Sequence, residues 1–141
     1  MLTNLDFLKL GASFPPAAET ERLEKYNKNK LVFEGKHEQV YKESFERIAR
    51  VVNNFDNVVS YSVVANFQKL ISLKIADFLL GEAPKIVAGD DKSKEQAAID
   101  VIKENSDLDN TLYTSAIDIS RYGDSVLNVY KGDEGKGIID I

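Results

Sequence analysis

The stretch Asn66-Phe67-Gln68-Lys69-Leu70-Ile71-Ser72-Leu73-Lys74-Ile75-Ala76-Asp77-Phe78-Leu79-Leu80-Gly81-Glu82-Ala83-Pro84 decides the fold. Asn66 reads as an N-cap, because its side-chain oxygen can take one of the N–H groups that the first helical turn leaves unbonded. Phe67, Leu70, Ile71, Ile75, Phe78 and Leu79 then line one broad side at helical spacing, and Leu73 and Leu80 widen it. The spacing predicts a helix over Asn66 to Leu80, mostly buried. Gly81 closes it, and Pro84 stands where no helix can continue. Asp77 interrupts the apolar surface; an acid there, if buried, needs a basic or backbone partner.

Toward the C-terminus, Lys85 to Ala88 reads as a short strand and Gly89-Asp90-Asp91 as a turn. Ser93 can cap a helix from Lys94 to Glu104 with Ala97, Ala98, Val101 and Ile102 inward. A further helix from Leu108 to Tyr122 places Leu108, Leu112, Ser115 or Ala116, and Ile119 on one face, and Gly123 ends it. Ser125 to Tyr130 alternates as a strand, Lys131 to Gly137 is a glycine-rich turn, and Ile138 to Ile141 begins a returning strand.

Toward the N-terminus, β-branched Val58 to Ala65 reads as extended and Asn53-Asn54 as a break. A helix from Lys36 to Val52 turns Val40 or Tyr41, Phe45, Ile48 and Val52 inward, and Gly35 separates it from a helix over Ala17 to Glu34. On that earlier helix Leu23, Tyr26, Lys30 and Phe33 share a face. Pro15-Pro16 suits a first turn. Residues 1–14 form a flexible arm jointed at Gly11-Ala12-Ser13. The expected class is α+β: one helix-rich domain over 15–141, with a few short strands and a C-terminal β-hairpin. A final strand of four residues leaves an apolar edge, so the chain reads as the N-terminal part of a longer polypeptide.

Composition excludes several chemistries. The 141 residues contain no cysteine, which removes disulfides, thiolate metal sites and cysteine nucleophiles, and one histidine, His37, which removes a poly-histidine centre. With 43% hydrophobic residues a packed core is within reach, while no apolar run approaches the roughly 18 residues of a membrane span. The net charge is −5, and the excess of acid lies after Val51, where nine basic residues face fifteen acidic ones. Phosphate binding needs the opposite balance, so strong direct DNA binding is not expected.

No motif supports catalysis. His37 opens a helix without a partner nucleophile. Asp107-x-Asp109 with Asp118 has the length of a calcium loop, but Leu112 occupies the position that needs glycine, and Asp118 the one that usually holds glutamate. Gly132-Asp133-Glu134-Gly135-Lys136-Gly137 lacks the Ser or Thr and the following helix of a phosphate loop, and its two acids would repel phosphate. The reading is a non-enzymatic chain without cofactor or metal.

The segment Asn66-Phe67-Gln68-Lys69-Leu70-Ile71, with Ala76-Asp77-Phe78-Leu79-Leu80-Gly81-Glu82-Ala83-Pro84-Lys85-Ile86, resembles the portal proteins of tailed double-stranded DNA phages and prophages of Gram-positive bacteria. Arg22-Leu23-Glu24-Lys25-Tyr26 leading to Tyr41, and Ser120-Arg121-Tyr122-Gly123-Asp124 before an alternating strand, are similar to two further family passages. The resemblance covers about Glu21 to Tyr130; Gln68 and Ala83 depart from it, standing where relatives often carry proline. It implies a structural subunit of a ring, typically of twelve, at one capsid vertex, through which DNA is packaged and ejected. This chain would be the outer wing, contacting neighbouring portal subunits and the major capsid and scaffold proteins. Regions that meet terminase and head-completion proteins have no counterpart here. The implied location is the virion, with assembly in the host cytoplasm. Asn66, Asp77, Gly81 and Gly123 are the structural residues expected to matter. The competing expectation is a free-standing phage adaptor or scaffold-binding module.

Overall fold

The computed structural model describes residues 9–53, 63–90, 92–132 and 135–141, and the chain divides into two compact units, Met1–Val64 and Ala65–Ile141. Helices dominate both, and one antiparallel hairpin sits at the C-terminal end, so the class is α+β. No helix among the described residues is long and apolar enough to cross a membrane.

In the first unit a 3-10 turn, Ala17–Glu19, follows Pro16 and leads into helix α1, Thr20–Phe33. Gly35 ends α1 with φ +84, its N–H bonded to the Val32 carbonyl while the Lys36 N–H reaches back to Leu31. That double closure satisfies carbonyls which the last turn would leave open, and only glycine adopts the left-handed conformation cheaply. The helix expected over Lys36 to Val52 is two helices, α2 (His37–Val40) and α3 (Lys42–Asn53). The chain leaves helical geometry at Tyr41, with φ −116 and ψ 33, and the Tyr41 ring lies 5.4 Å below the Lys28 ammonium of α1. Neither glycine nor proline marks that break. Of the inward set, Phe45 is half-buried, Ile48 is exposed, and Val52 lies outside the side chains described. Most of the extended stretch expected over Val58 to Ala65 lies outside the described residues.

The second unit is built on two helices packed together, α4 (Phe67–Leu80) and α6 (Leu108–Tyr122). Helix α5 (Lys94–Asn105) and strand β2 (Gly137–Asp140) pack beside α6, and β2 pairs with β1 (Asn128–Lys131) in the register Val129↔Ile139. The core is small: Ala76, Leu108 and Ala116 are its buried apolar residues among those described, joined by Ser72, Gln96, Ser106 and Ser115.

Further expectations are overturned in this unit. Helix α4 is not mostly buried: Ser72 and Ala76 are its buried residues, whereas Phe67 is 65% and Phe78 89% exposed. At 100° per residue, Ser72 and Ala76 lie opposite Phe67, Ile71 and Phe78, so α6 takes the small face and the large side chains point outward. On α5, Ala97, Ala98 and Val101 are exposed, and Gln96 holds the buried position. Among the described residues Lys85 to Ala88 pairs with no strand, and the hairpin's first strand begins at Asn128 rather than Ser125.

Candidate functional site

Helix α4 is positioned by its ends and its inner stripe. Asn66 Oδ1 accepts the Lys69 N–H at 3.0 Å and so starts the helix. Gly81 lies just past the last turn with φ −64; a Cβ there would run into the Asp77 carbonyl oxygen, so this glycine is required for space. Gly123 ends α6 with φ +91 and open space around it, so there glycine is required for backbone conformation instead.

The α4–α6 contact is close because its residues are small. Ser72 Oγ and Ser120 Oγ are 3.1 Å apart across it, and Ala76 is fully buried. Asp77 spans the two helices at the rim: Tyr113 Oη donates to its Oδ1 at 2.8 Å, and Lys74 Nζ to its Oδ2 at 3.2 Å. These bonds hold the Asp77 carboxyl below its ordinary range, the Tyr113 hydroxyl first and Lys74 second, and the same bond raises Tyr113. The partner is therefore a phenol on α6 as well as a base, and the pair sits in water rather than in the core. Asp77 stands out in the sequence and Tyr113 does not, because its place on α6 three residues before Ala116 carries no local mark.

Beside this staple an open cleft of about 560 Å³ runs between α4 and α6, walled by Ile75, Leu79, Leu80, Leu112 and Ile119. It continues onto the outward stripe of α4, where Phe67, Leu70, Ile71 and Phe78 are more than half exposed. Contiguous exposed apolar surface of this kind marks a site that other protein, a ligand or a membrane covers.

A second polar device sits on α5. Gln96 Nε2 donates to the Ile86 carbonyl at 3.2 Å and to Asp100 Oδ1 at 2.9 Å, while its Oε1 accepts the Ala88 N–H at 2.9 Å. Ser93 Oγ caps α5 through the Gln96 N–H and reaches the Ala88 carbonyl, closing the same corner. Sequence reasoning passed over Gln96; its signal, a polar residue on the inner side of a capped helix, is one that most exposed glutamines share.

The remaining candidates are not brought together. His37 begins α2 half-buried, in the first unit, with no hydrogen bond on Nδ1 among the described residues. Asp107 turns the chain into α6 with φ +44 and accepts from Asn110 Nδ2, and Asp118 is paired with Arg121, so the calcium-like spacing runs along a helix. Among the described residues, no three His, Asp or Glu groups converge as a metal would require. The glycine-rich loop closes the hairpin through Gly132 N–H to Lys136 O and Gly135 N–H to Gly132 O, each 2.8 Å.

The class thus defined is a helix-rich α+β chain whose prominent surface feature is apolar. Residues 14–139 match the family model described as phage portal protein, SPP1 Gp6-like, and the chain belongs to that family. No curated protein and no solved structure matches it.

Proposed function

We propose that this chain is the wing portion of a portal subunit, packing against neighbouring subunits in a ring at one capsid vertex through which genomic DNA is packaged and ejected. The family match over residues 14–139 carries the reading, since it spans both units. The exposed stripe of α4 supports it, because a ring subunit must present apolar surface to what surrounds it. On this reading the chain is a virion component assembled in the host cytoplasm, with other portal subunits and the capsid shell as its first partners. Its part is structural and non-catalytic, and Asn66, Gly81 and Gly123 set the helices that present the surface. The acidic surplus suits a wall past which a polyanion must slide, since it offers no counterion-releasing grip.

The test is to express the complete reading frame that encodes the chain and image the product by negative stain. Closed rings are expected, and antibodies against the chain should label a single vertex of particles. A monodisperse monomer at tens of micromolar, with label absent from particles, would refute the portal role. Labelling without rings would favour the adaptor alternative.

A further inference from the structure

Two main-chain edges of the second unit have no partner among the described residues, and their geometry is complementary. The first is at Val87. One side-chain amide, that of Gln96, accepts from the Ala88 N–H and donates to the Ile86 carbonyl, and Gln96 is 8% exposed. A carbonyl and an N–H two residues apart lie on one side of the backbone when the chain is extended, and a neighbouring strand would bond that same pair. Gln96 thus fills one edge of Lys85 to Ala88 as a strand would. In an extended chain the Val87 N–H and carbonyl face the other way, and among the described residues neither takes a hydrogen bond. Val87 is 50% exposed.

The second edge is at Val129. The Ile139 N–H donates to Ser106 Oγ at 2.9 Å, so it points away from β1. Ile139 is the register partner of Val129, which makes the two a non-hydrogen-bonded pair. The Val129 N–H and carbonyl therefore point away from β2 as well. Among the described elements β1 touches only β2, and Val129 is 71% exposed.

We infer that strand β1 of one copy of this chain pairs antiparallel with Lys85 to Ala88 of the next copy, Val87 and Val129 exchanging both main-chain hydrogen bonds. The inference rests on the portal reading, in which copies stand side by side. The occupant is argued from the edges themselves. Each copy carries one of each, so a head-to-tail pairing leaves both ends of any chain of copies open until a ring closes. Pairing β1 with β1 would stop at two. The register sets Ile86 across from Tyr130, a β-branched–aromatic pair of the kind that stabilises sheets. It also sets Lys85 across from Lys131 at the end of the ladder, a repulsion that salt screens.

The chain has no cysteine, so the double variant Val87→Cys/Val129→Cys carries two thiols and no others from these residues. Hydrogen-bonded antiparallel partners lie about 5.5 Å apart at Cα, within disulfide range. Expressed in the complete reading frame and mildly oxidised, the double variant is expected to give a non-reducing ladder running past the dimer, which neither single variant gives. Rings in negative stain without a ladder overturn the pairing and leave the portal reading intact. A compact monomer with an internal disulfide overturns it too, since the edges then meet within one chain. A ladder without rings supports the pairing and removes the portal reading; neither ladder nor rings removes both. Independently, Val87→Pro deletes one N–H while sparing the atoms that Gln96 holds. Amide exchange of the β1 peptide should slow several-fold when the parent assembles and stay fast in Val87→Pro. Protection that persists in that variant means another strand covers β1, and the pairing is wrong.

Discussion

Replacing Phe78 by alanine is expected to change the stability of the folded chain by no more than about 0.5 kcal/mol. The side chain is 89% exposed, so about a tenth of its roughly 200 Å² is in contact within the chain. At about 25 cal/mol per Å² that contact is worth about 0.5 kcal/mol. Alanine's better helix propensity returns a similar amount. A phenylalanine in a core would cost about 3–5 kcal/mol. Ala76, two residues earlier and fully buried against α6, should behave in the opposite way. Ala76→Leu adds three carbons where the helices meet through small side chains, and overpacking of that kind costs about 1–3 kcal/mol. The assay is urea unfolding followed by far-ultraviolet circular dichroism at low protein concentration, so that association does not add to the measured stability. A loss above about 2 kcal/mol for Phe78→Ala would show the outer stripe to be packed within the chain. The stripe would then not be free to dock other protein. A neutral Ala76→Leu would equally refute the close α4–α6 contact.

Gln96→Ala removes three hydrogen bonds, two of them to main chain, and is expected to cost about 2 kcal/mol. The same variant should release the Ala88 amide to fast exchange, which a distributed loss of stability would not single out. Gly123→Ala meets no atom but forces an L-residue to φ +91, so about 1–2 kcal/mol should be lost at unfolding equilibrium; no loss would mean the α6 terminus had rearranged. The Asp77–Tyr113 bond fixes the sign of a pH dependence. Asp77 is lowered from 3.8, so its contribution is full above that value and fades as pH falls through its lower folded pKa. Tyr113 is raised from 10.0, so its contribution is full below that value and fades as pH climbs through its higher folded pKa. Tyr113→Phe should move the Asp77 titration, read by carboxyl-carbon NMR, back toward 3.8, and an unmoved titration would show the bond to be absent in solution.

Much of the helical layout was legible because local chemistry marks it. Asn66 and Ser93 are caps whose side chains bond the third residue of their helices, and Gly35 and Gly123 are left-handed stops. Leu108 to Tyr122 emerges with the bounds that its apolar spacing predicts. Which face is inward was not legible on α4, because periodicity reports where large apolar residues lie and cannot say what lies against them. Ser72 and Ala76 carry almost no hydropathy, yet small residues are what allow two helices to approach closely. The same limit hid Gln96, whose role depends on Ile86 and Ala88 coming back to it from ten and eight residues away. The break at Tyr41 has no residue that announces it. Asp77 was legible as an acid that needs partners, but Tyr113 lies 36 residues away and only the packing of α6 brings it there.

The inversion of α4, small side chains inward and large ones outward, bears on how an assembling chain avoids premature association. A helix that buried its phenylalanines against α6 would gain stability alone but leave nothing to dock. One that exposes them depends on a second surface, and until that surface arrives only charge opposes sticking. The chain's −5 supplies that opposition, with Lys74 and Asp77 breaking the stripe from within by pairing with each other. Self-repulsion of exposed charges weakens as salt rises, while apolar attraction does not. Association through α4 should therefore strengthen between low and high salt, and Lys74→Ala, which joins the apolar patches and adds one negative charge net, tests the balance. Sedimentation at matched concentrations should show the variant associating less than the parent at low salt and more at high salt. A single ordering at both salts would mean that charge does not hold the stripe apart, and that the spacing of its apolar residues alone decides when it docks.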